Sequence, residues 1–245
     1  MVTSRTATGF VADVIDISFV DGPGSRFVVF LQGCNFDCIA CHNPQTIPCA
    51  TGDHFATTVD DVMERLRRAA PFVRGITVSG GEAMQQVEFV RGLFCAVKAD
   101  AATRHLTCFI DSNGACPTRA WDELAPVLDG AMIDLKSLDS RAHETLTGQP
   151  NDSVLASIDH LQRLGLLYEV RLLIVPGHND DDCLLRQTGM WLAGVDPKMR
   201  IKVIGLHLHG TRPHDPPLAA ATRDDVDRAV ALLDALSPFD IVAVA

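Results

Sequence analysis

The chain has 245 residues, 47% of them hydrophobic, which is enough for one substantial core and too little for two generous domains. Its 31 acidic residues outnumber 21 Lys and Arg, and the net charge of −10 makes it a poor general binder of nucleic acid or anionic membrane. The opening MVTSRTATGFVADVID lacks a continuous apolar run and no later stretch could span a bilayer, so a cytoplasmic protein without a membrane partner is expected.

Short β-rich runs alternate with amphipathic helical ones. Residues 26–31 predict a strand leading into a cysteine-rich loop at 32–44. A helix is expected over 59–70, with Val62, Met63, Leu66 and Ala69 on one side, then a strand at 76–79 ending at Gly80-Gly81. The helix at 84–99 carries Val87, Val90, Leu93, Phe94 and Val97 on one stripe. A strand at 106–110, a helix at 120–128 and a strand at 131–135 follow. The second half predicts helix 151–164, strand 168–175, helix 181–192, strand 201–206, helix 224–236 and a final strand at 241–244. Thr211-Arg212-Pro213-His214-Asp215-Pro216-Pro217 reads as an exposed loop. About six βα units without internal repeats and without a Pro/Ser-rich linker argue for one α/β domain over 1–245, as a barrel or an open sheet. Polar residues collect where the strands end, which is where such folds place their chemistry.

Three of the eight cysteines, Cys34, Cys38 and Cys41, fall within eight positions. Three soft thiolates at this spacing can wrap one metal centre from a single loop. Structural zinc would need a fourth ligand, His42 or a remote residue. A cubane held by three sulfurs leaves one iron for an incoming ligand. Cys95 and Cys108 sit in apolar periodic segments and read as buried reduced thiols. Cys49 and Cys116 lie in turn-like stretches, where an accessory site is conceivable.

The Cys-x3-Cys-x2-Cys spacing followed by His42-Asn43-Pro44 resembles the signature of radical S-adenosylmethionine enzymes. More narrowly, the chain is similar to the activating enzymes of glycyl radical enzymes. The likeness runs from Val20-Asp21-Gly22-Pro23-Gly24-Ser25-Arg26 through Phe30-Leu31-Gln32-Gly33-Cys34, Thr77-Val78-Ser79-Gly80-Gly81-Glu82-Ala83, Asp111-Ser112-Asn113-Gly114, Asp134-Leu135-Lys136 and Val175-Pro176-Gly177. Ala40 departs from the aromatic residue usual before the third cysteine. Residues 45–57 hold only Cys49, so no ferredoxin-like insertion is expected.

The resemblance implies a partial (β/α)6 TIM-like barrel of the radical SAM type. It implies a [4Fe–4S] cluster on Cys34, Cys38 and Cys41, and S-adenosylmethionine as the second cofactor. Gly80, Gly81 and Glu82 are then assigned to the cofactor's amino end, although Glu82 also suits a plain helix cap. Asp111 and Asp134 are assigned to the site and to a monovalent cation beside it. Lys136 approaches the cofactor or a peptide, against the plainer reading of an Asp134–Lys136 ion pair. Arg171 is placed near the cofactor carboxylate, or simply stabilises its strand. His207 is placed at the adenine end, with His209 as its competitor on the same strand face, and Asp21 in a turn beside the substrate glycine.

These assignments imply reductive cleavage of S-adenosylmethionine and abstraction of a glycine α-hydrogen in a partner glycyl radical enzyme. Flavodoxin or ferredoxin would supply the electron. The alternative is radical chemistry on a small molecule or peptide, as in 7-carboxy-7-deazaguanine synthase-like enzymes. An iron–sulfur electron carrier or sensor would have no use for the Gly80-Gly81-Glu82 and Asp134–Lys136 sets.

Overall fold

The computed structural model of the chain describes residues 7–49 and 56–245. The first six residues, and residues 50–55 of the segment expected to lack an insertion, lie outside the described part. Internal contacts divide the chain into two compact units. One comprises the residues up to Asn35 with Gln45–Ser112 and Cys116–Met132; the other comprises Phe36–Pro44, Asn113–Ala115 and Ile133–Ala245.

In the first unit, β1 (Thr8–Ser18) and β2 (Arg26–Leu31) pair antiparallel, and the short β3 (Ala56–Thr58) pairs antiparallel with the start of β1. α1 (Val59–Ala69) then leads to β4 (Gly75–Gly80), α2 (Val87–Ala99), β5 (Thr107–Ser112) and α3 (Thr118–Leu124). β2, β4 and β5 run parallel. Parallel strands are covered on both faces and therefore read as continuous apolar runs. Phe27, Val28, Val29, Ile76, Val78, Cys108 and Ile110 are accordingly buried. α1 starts at a reciprocal Thr58/Asp61 capping box and buries Val62, Met63, Leu66 and Ala69, as its periodicity predicts.

β6 (Gly130–Asp134) begins in the first unit and ends in the second. The second unit continues with α4 (Ser140–Thr147), α5 (Asp152–Leu164), β7 (Leu167–Ile174), α6 (Asp182–Val195), β8 (Arg200–Gly205), α7 (Arg223–Asp234) and β9 (Asp240–Val244). β7, β8 and β9 are parallel, and α5 packs on β7 while α7 packs on α6, β8 and β9. The result is a mixed α/β fold with a mostly parallel, helix-flanked sheet, consistent with the partial barrel expected. Among the described residues no helix is long and apolar enough to cross a membrane.

β1, β3 and α4 form where the sequence reading expected no element. The helix expected at 120–128 starts two residues earlier and stops at Leu124, as α3. The strand expected to reach residue 206 stops at Gly205, so His207 and His209 lie in the loop beyond it rather than on a shared strand face.

α4 is short but well bounded, with the Asp139 side chain capping its start and Gly148 in the left-handed conformation ending it. It buries His143 completely. Burial holds the His143 imidazole below its ordinary value of 6.5; the Lys136 charge acts in the same direction and the Gln149 carbonyl against it. The unfolded chain takes up this proton near its ordinary pKa while the folded chain resists it. The contribution to stability is therefore complete above that value and is lost as pH falls through it. Lowering pH from about 7.5 to about 5.5 should reduce the urea midpoint more steeply in the native chain than in His143→Asn. Equal slopes would rule out this linkage.

Candidate active site

The turn after β4 is built by close backbone approach. β2 and β4 are in register from Arg26 opposite Gly75 to Leu31 opposite Gly80. The Gly81 N–H donates to Leu31 O and the Glu82 N–H to Gly33 O, both at 2.8 Å. Gly80 has φ +117°, and a Cβ there would strike the Leu31 backbone. A Cβ on Gly81 would run into Gly33 O and come within 2.7 Å of Thr46 O. The predicted glycine pair is therefore required by the neighbouring chain, whatever else it binds.

Glu82 follows this turn and is only 1% exposed. Its Oε1 accepts from the Met84 N–H at 2.8 Å and from Ser112 Oγ at 2.7 Å. The capping reading of Glu82 is thus correct as far as Oε1 goes. Asp111, next to Ser112 at the end of β5, accepts from Ser79 Oγ at 3.1 Å. Asp21 accepts from Ser18 Oγ, and its backbone carbonyl receives Thr77 Oγ1 at 2.8 Å. Thr77 Oγ1 in turn accepts from the fully buried Arg26 Nε at 3.0 Å. A buried guanidinium thus sets the turn that carries Asp21. Gln32 fixes the approach to Cys34, donating to Gln45 O at 3.0 Å and Pro48 O at 2.8 Å. The Cys34 N–H donates to Ile47 O at 3.0 Å.

Cys38 and Cys41 belong to the second unit. The amides on either side of Cys38 are anchored: Asp37 N–H to Thr147 O and Ile39 N–H to Leu146 O, each at 3.0 Å. Arg212 Nη2 donates to Asp37 Oδ1 at 2.5 Å and to Cys38 O at 3.1 Å. His42 Nε2 donates to His207 O at 2.8 Å. Burial pushes the Cys38 thiol up to about 11, against the pull of the Lys136 charge. Lys136 Nζ pairs with Asp134 Oδ2 at 2.7 Å, and its own carbonyl receives Asn179 Nδ2 at 2.7 Å. Arg171 is 9% exposed and pairs with Glu169 through Nε at 2.9 Å; Glu169 also binds Arg200. His207 and His209 are exposed.

All eight cysteines are reduced. Cys108 is buried and its thiol is pushed up to about 12 by that burial, as expected of an inert core thiol. Cys116 is buried, while Cys95 is only partly so and Cys49 and Cys183 are exposed. Among the described residues, no three His, Cys, Asp or Glu side chains converge on a point suited to one metal ion. The cation expected beside Asp111 and Asp134 gains no support from this geometry. Sequence reading missed Ser112, Arg26, Gln32, Arg212 and α4 as supports of the site. Of these, Arg26, Gln32 and Ser112 stand within the quoted motifs and Arg212 within the loop expected at 211–217, but no role was read for any of them.

The family profile described as the Radical SAM superfamily matches residues 28–184. A pyruvate formate-lyase-activating enzyme of Streptococcus mutans is 33% identical over 208 residues, covering 83% of this chain and 79% of that protein. The pyruvate formate-lyase 1-activating enzyme of Escherichia coli is 35% identical over 196 residues, covering 77% and 76%. Among solved structures, a domain of a pyruvate-formate lyase-activating enzyme from Bacteroides vulgatus matches with TM-score 0.55 and 22% identity, covering 69% of this chain and 98% of that one. A radical SAM methyltransferase from Sphaerobacter thermophilus matches with TM-score 0.69 and 15% identity, covering 94% and 68%. At these identities the structural matches speak to the fold alone.

The crowding at Gly81 gives a direct test. Gly81→Ala should cost about 3 kcal/mol in urea unfolding of the cluster-free chain, because the atoms it meets are backbone. Gly194→Ala, in α6 with open space around it, should be neutral or stabilising by about 0.5–1 kcal/mol. Equal effects at the two positions would refute the close-approach argument.

Proposed function

Because the chain belongs to the Radical SAM superfamily, and within it to the family of pyruvate formate-lyase-activating enzymes, we propose that it activates a glycyl radical enzyme. The observation that carries this reading is the likeness to activating enzymes along about three quarters of the chain, with the cysteine loop inside the residues 28–184 that match the superfamily profile. It is a radical SAM oxidoreductase whose substrate is a glycine in a partner protein. The superfamily implies S-adenosylmethionine and an iron–sulfur cluster as cofactors.

By the chemistry of their thiols, Cys34, Cys38 and Cys41 would hold a [4Fe–4S] cluster. All three thiols are reduced and partly accessible, and the loop carrying them is anchored through the amides of Cys34, Asp37 and Ile39. Thiolates are the soft ligands that iron–sulfur centres take. Desolvation raises the Cys38 thiol to about 11, so it needs a cation beside it to ionise, and ligation would supply one. When bound, the cluster and S-adenosylmethionine supply one-electron cleavage of a carbon–sulfur bond, giving a 5′-deoxyadenosyl radical that removes a glycine α-hydrogen.

The chain's own residues bind and align. Gly80 and Gly81 let the backbone come close to the cofactor's methionine end. Glu82 has its Oε1 held by Met84 N and Ser112 Oγ, which fixes the carboxylate assigned to the cofactor's amino group. Asp134 holds Lys136 in place as a cation near the cofactor or peptide. Arg171 and His207 serve the carboxylate and adenine ends. Asp21 sits in a turn whose glycines leave room for a peptide backbone. Since the radical reacts by contact, distance to the target hydrogen is the main control, and no general base is required. Flavodoxin or ferredoxin delivers the electron.

The reading is tested with the full chain, reconstituted anaerobically, reduced and mixed with candidate partner enzymes. Electron paramagnetic resonance should show a glycyl doublet. Turnover of a small molecule with no doublet from any partner would defeat it. Cys38→Ala should lose bound iron and cofactor cleavage together; undiminished cleavage would overturn the ligand assignment.

A further inference from the structure

The loop that carries Cys38 is cast on the last turn of α4. A helix ends with carbonyls that have no partner of their own within it. Two of these, Leu146 O and Thr147 O, receive the amides of Ile39 and Asp37 at 3.0 Å, one on each side of Cys38. Ala40 joins Leu146, Val175, Leu206 and Leu218 in one apolar cluster, with Ile39 packed against it. The orientation of the two carbonyls is set by side chains beneath them. Thr147 Oγ1 donates to His143 O at 2.8 Å, and the Gln149 N–H donates to Thr147 Oγ1 at 3.1 Å.

His143 Nδ1 lies 2.7 Å from Gln149 O. A carbonyl can only accept, so Nδ1 carries the proton and Nε2 is left with a bare lone pair. That Nε2 is buried and has no hydrogen-bond partner. Buried polar atoms are rarely left so, and such a position calls for an explanation. The imidazole ring meets the Phe36 ring edge to face, with centroids 5.6 Å apart and planes at 80°. Phe36 opens the segment that Asp37 and Ile39 pin to the helix. An apolar side chain of similar size would keep the ring contact and remove the orphan, but it would lose the bond to Gln149 O.

We propose that His143 is a positioning residue for the cysteine loop: its Nδ1–H bond to Gln149 and its ring contact with Phe36 preform the α4 terminus as a cradle that presents Cys38. This rests on the reading of Cys38 as a cluster ligand, but the central measurement does not.

Amide exchange is followed on the full cluster-free chain. In His143→Phe the amides of Asp37 and Ile39 should exchange about tenfold faster, while those of β7 and β8 stay unchanged. His143→Asn, which offers an amide donor near the place of Nδ1, should restore exchange to within about threefold of the native rate. After reconstitution, the g values of the reduced cluster should shift in His143→Phe and return in His143→Asn. Nitrogen NMR of the native chain should find Nδ1 protonated and Nε2 bare, a readout that holds even if a variant fails to fold. Native exchange rates in folded His143→Phe, equal acceleration in both variants, or a proton on Nε2 would each overturn the proposal. A native chain that takes up no iron would instead overturn the parent reading and leave the exchange result standing.

Discussion

The register of β2 against β4 is the constraint on which the first unit depends. Leu31 opposite Gly80 brings the end of one strand against the end of the other, and two amides of the Gly80-Gly81-Glu82 turn bond to carbonyls of the segment leading to Cys34. A slip of one residue would reverse every side chain on β2 and carry the cysteine away from the turn. The approach is so close that only glycine fits at 80 and 81. Close packing alone therefore accounts for both glycines in the sequence, whatever they bind.

Polar groups in this fold are placed to hold other polar groups. Arg26 is fully buried among Thr77, Thr107 and Ile76 O, with its guanidinium over the Phe109 ring. Through Thr77 it fixes the Asp21 carbonyl. Glu82 and Arg171 are likewise buried and engaged, the first by Ser112 and the second by Glu169. Desolvating such groups is expensive unless each finds partners, so networks of this kind tolerate little rearrangement and keep a site in one geometry.

The parallel strands and the long helices were legible because burial on both faces, or on one helical stripe, writes a strong period into the sequence. α1 and α5 bury Val62, Leu66, Val154, Ile158 and Leu161 as their spacing requires. β1 was not legible: Thr8–Ser18 is half exposed and broken by register shifts, so its alternation is blurred. β3 is three residues long, too short to carry a period. α4 has only eight residues and few apolar ones, though Asp139 and Gly148 mark its ends. The cysteine spacing and the strand-end motifs marked a candidate site from the sequence alone. Their supports, such as Arg212 and His143, come from distant parts of the chain, and no local pattern announces them.

The loop after β8 holds the cysteine segment at three places: His207 O takes the His42 imidazole, Arg212 clasps Asp37 and Cys38 O, and Gly210 leaves only 2.8 Å between a Cβ there and His42 O. Two stretches some 170 residues apart in sequence are thereby obliged to change together. Among descendants of this chain, lengthening the later loop or replacing Gly210 would demand compensation at 37–42, so the two segments should drift as a single evolutionary unit.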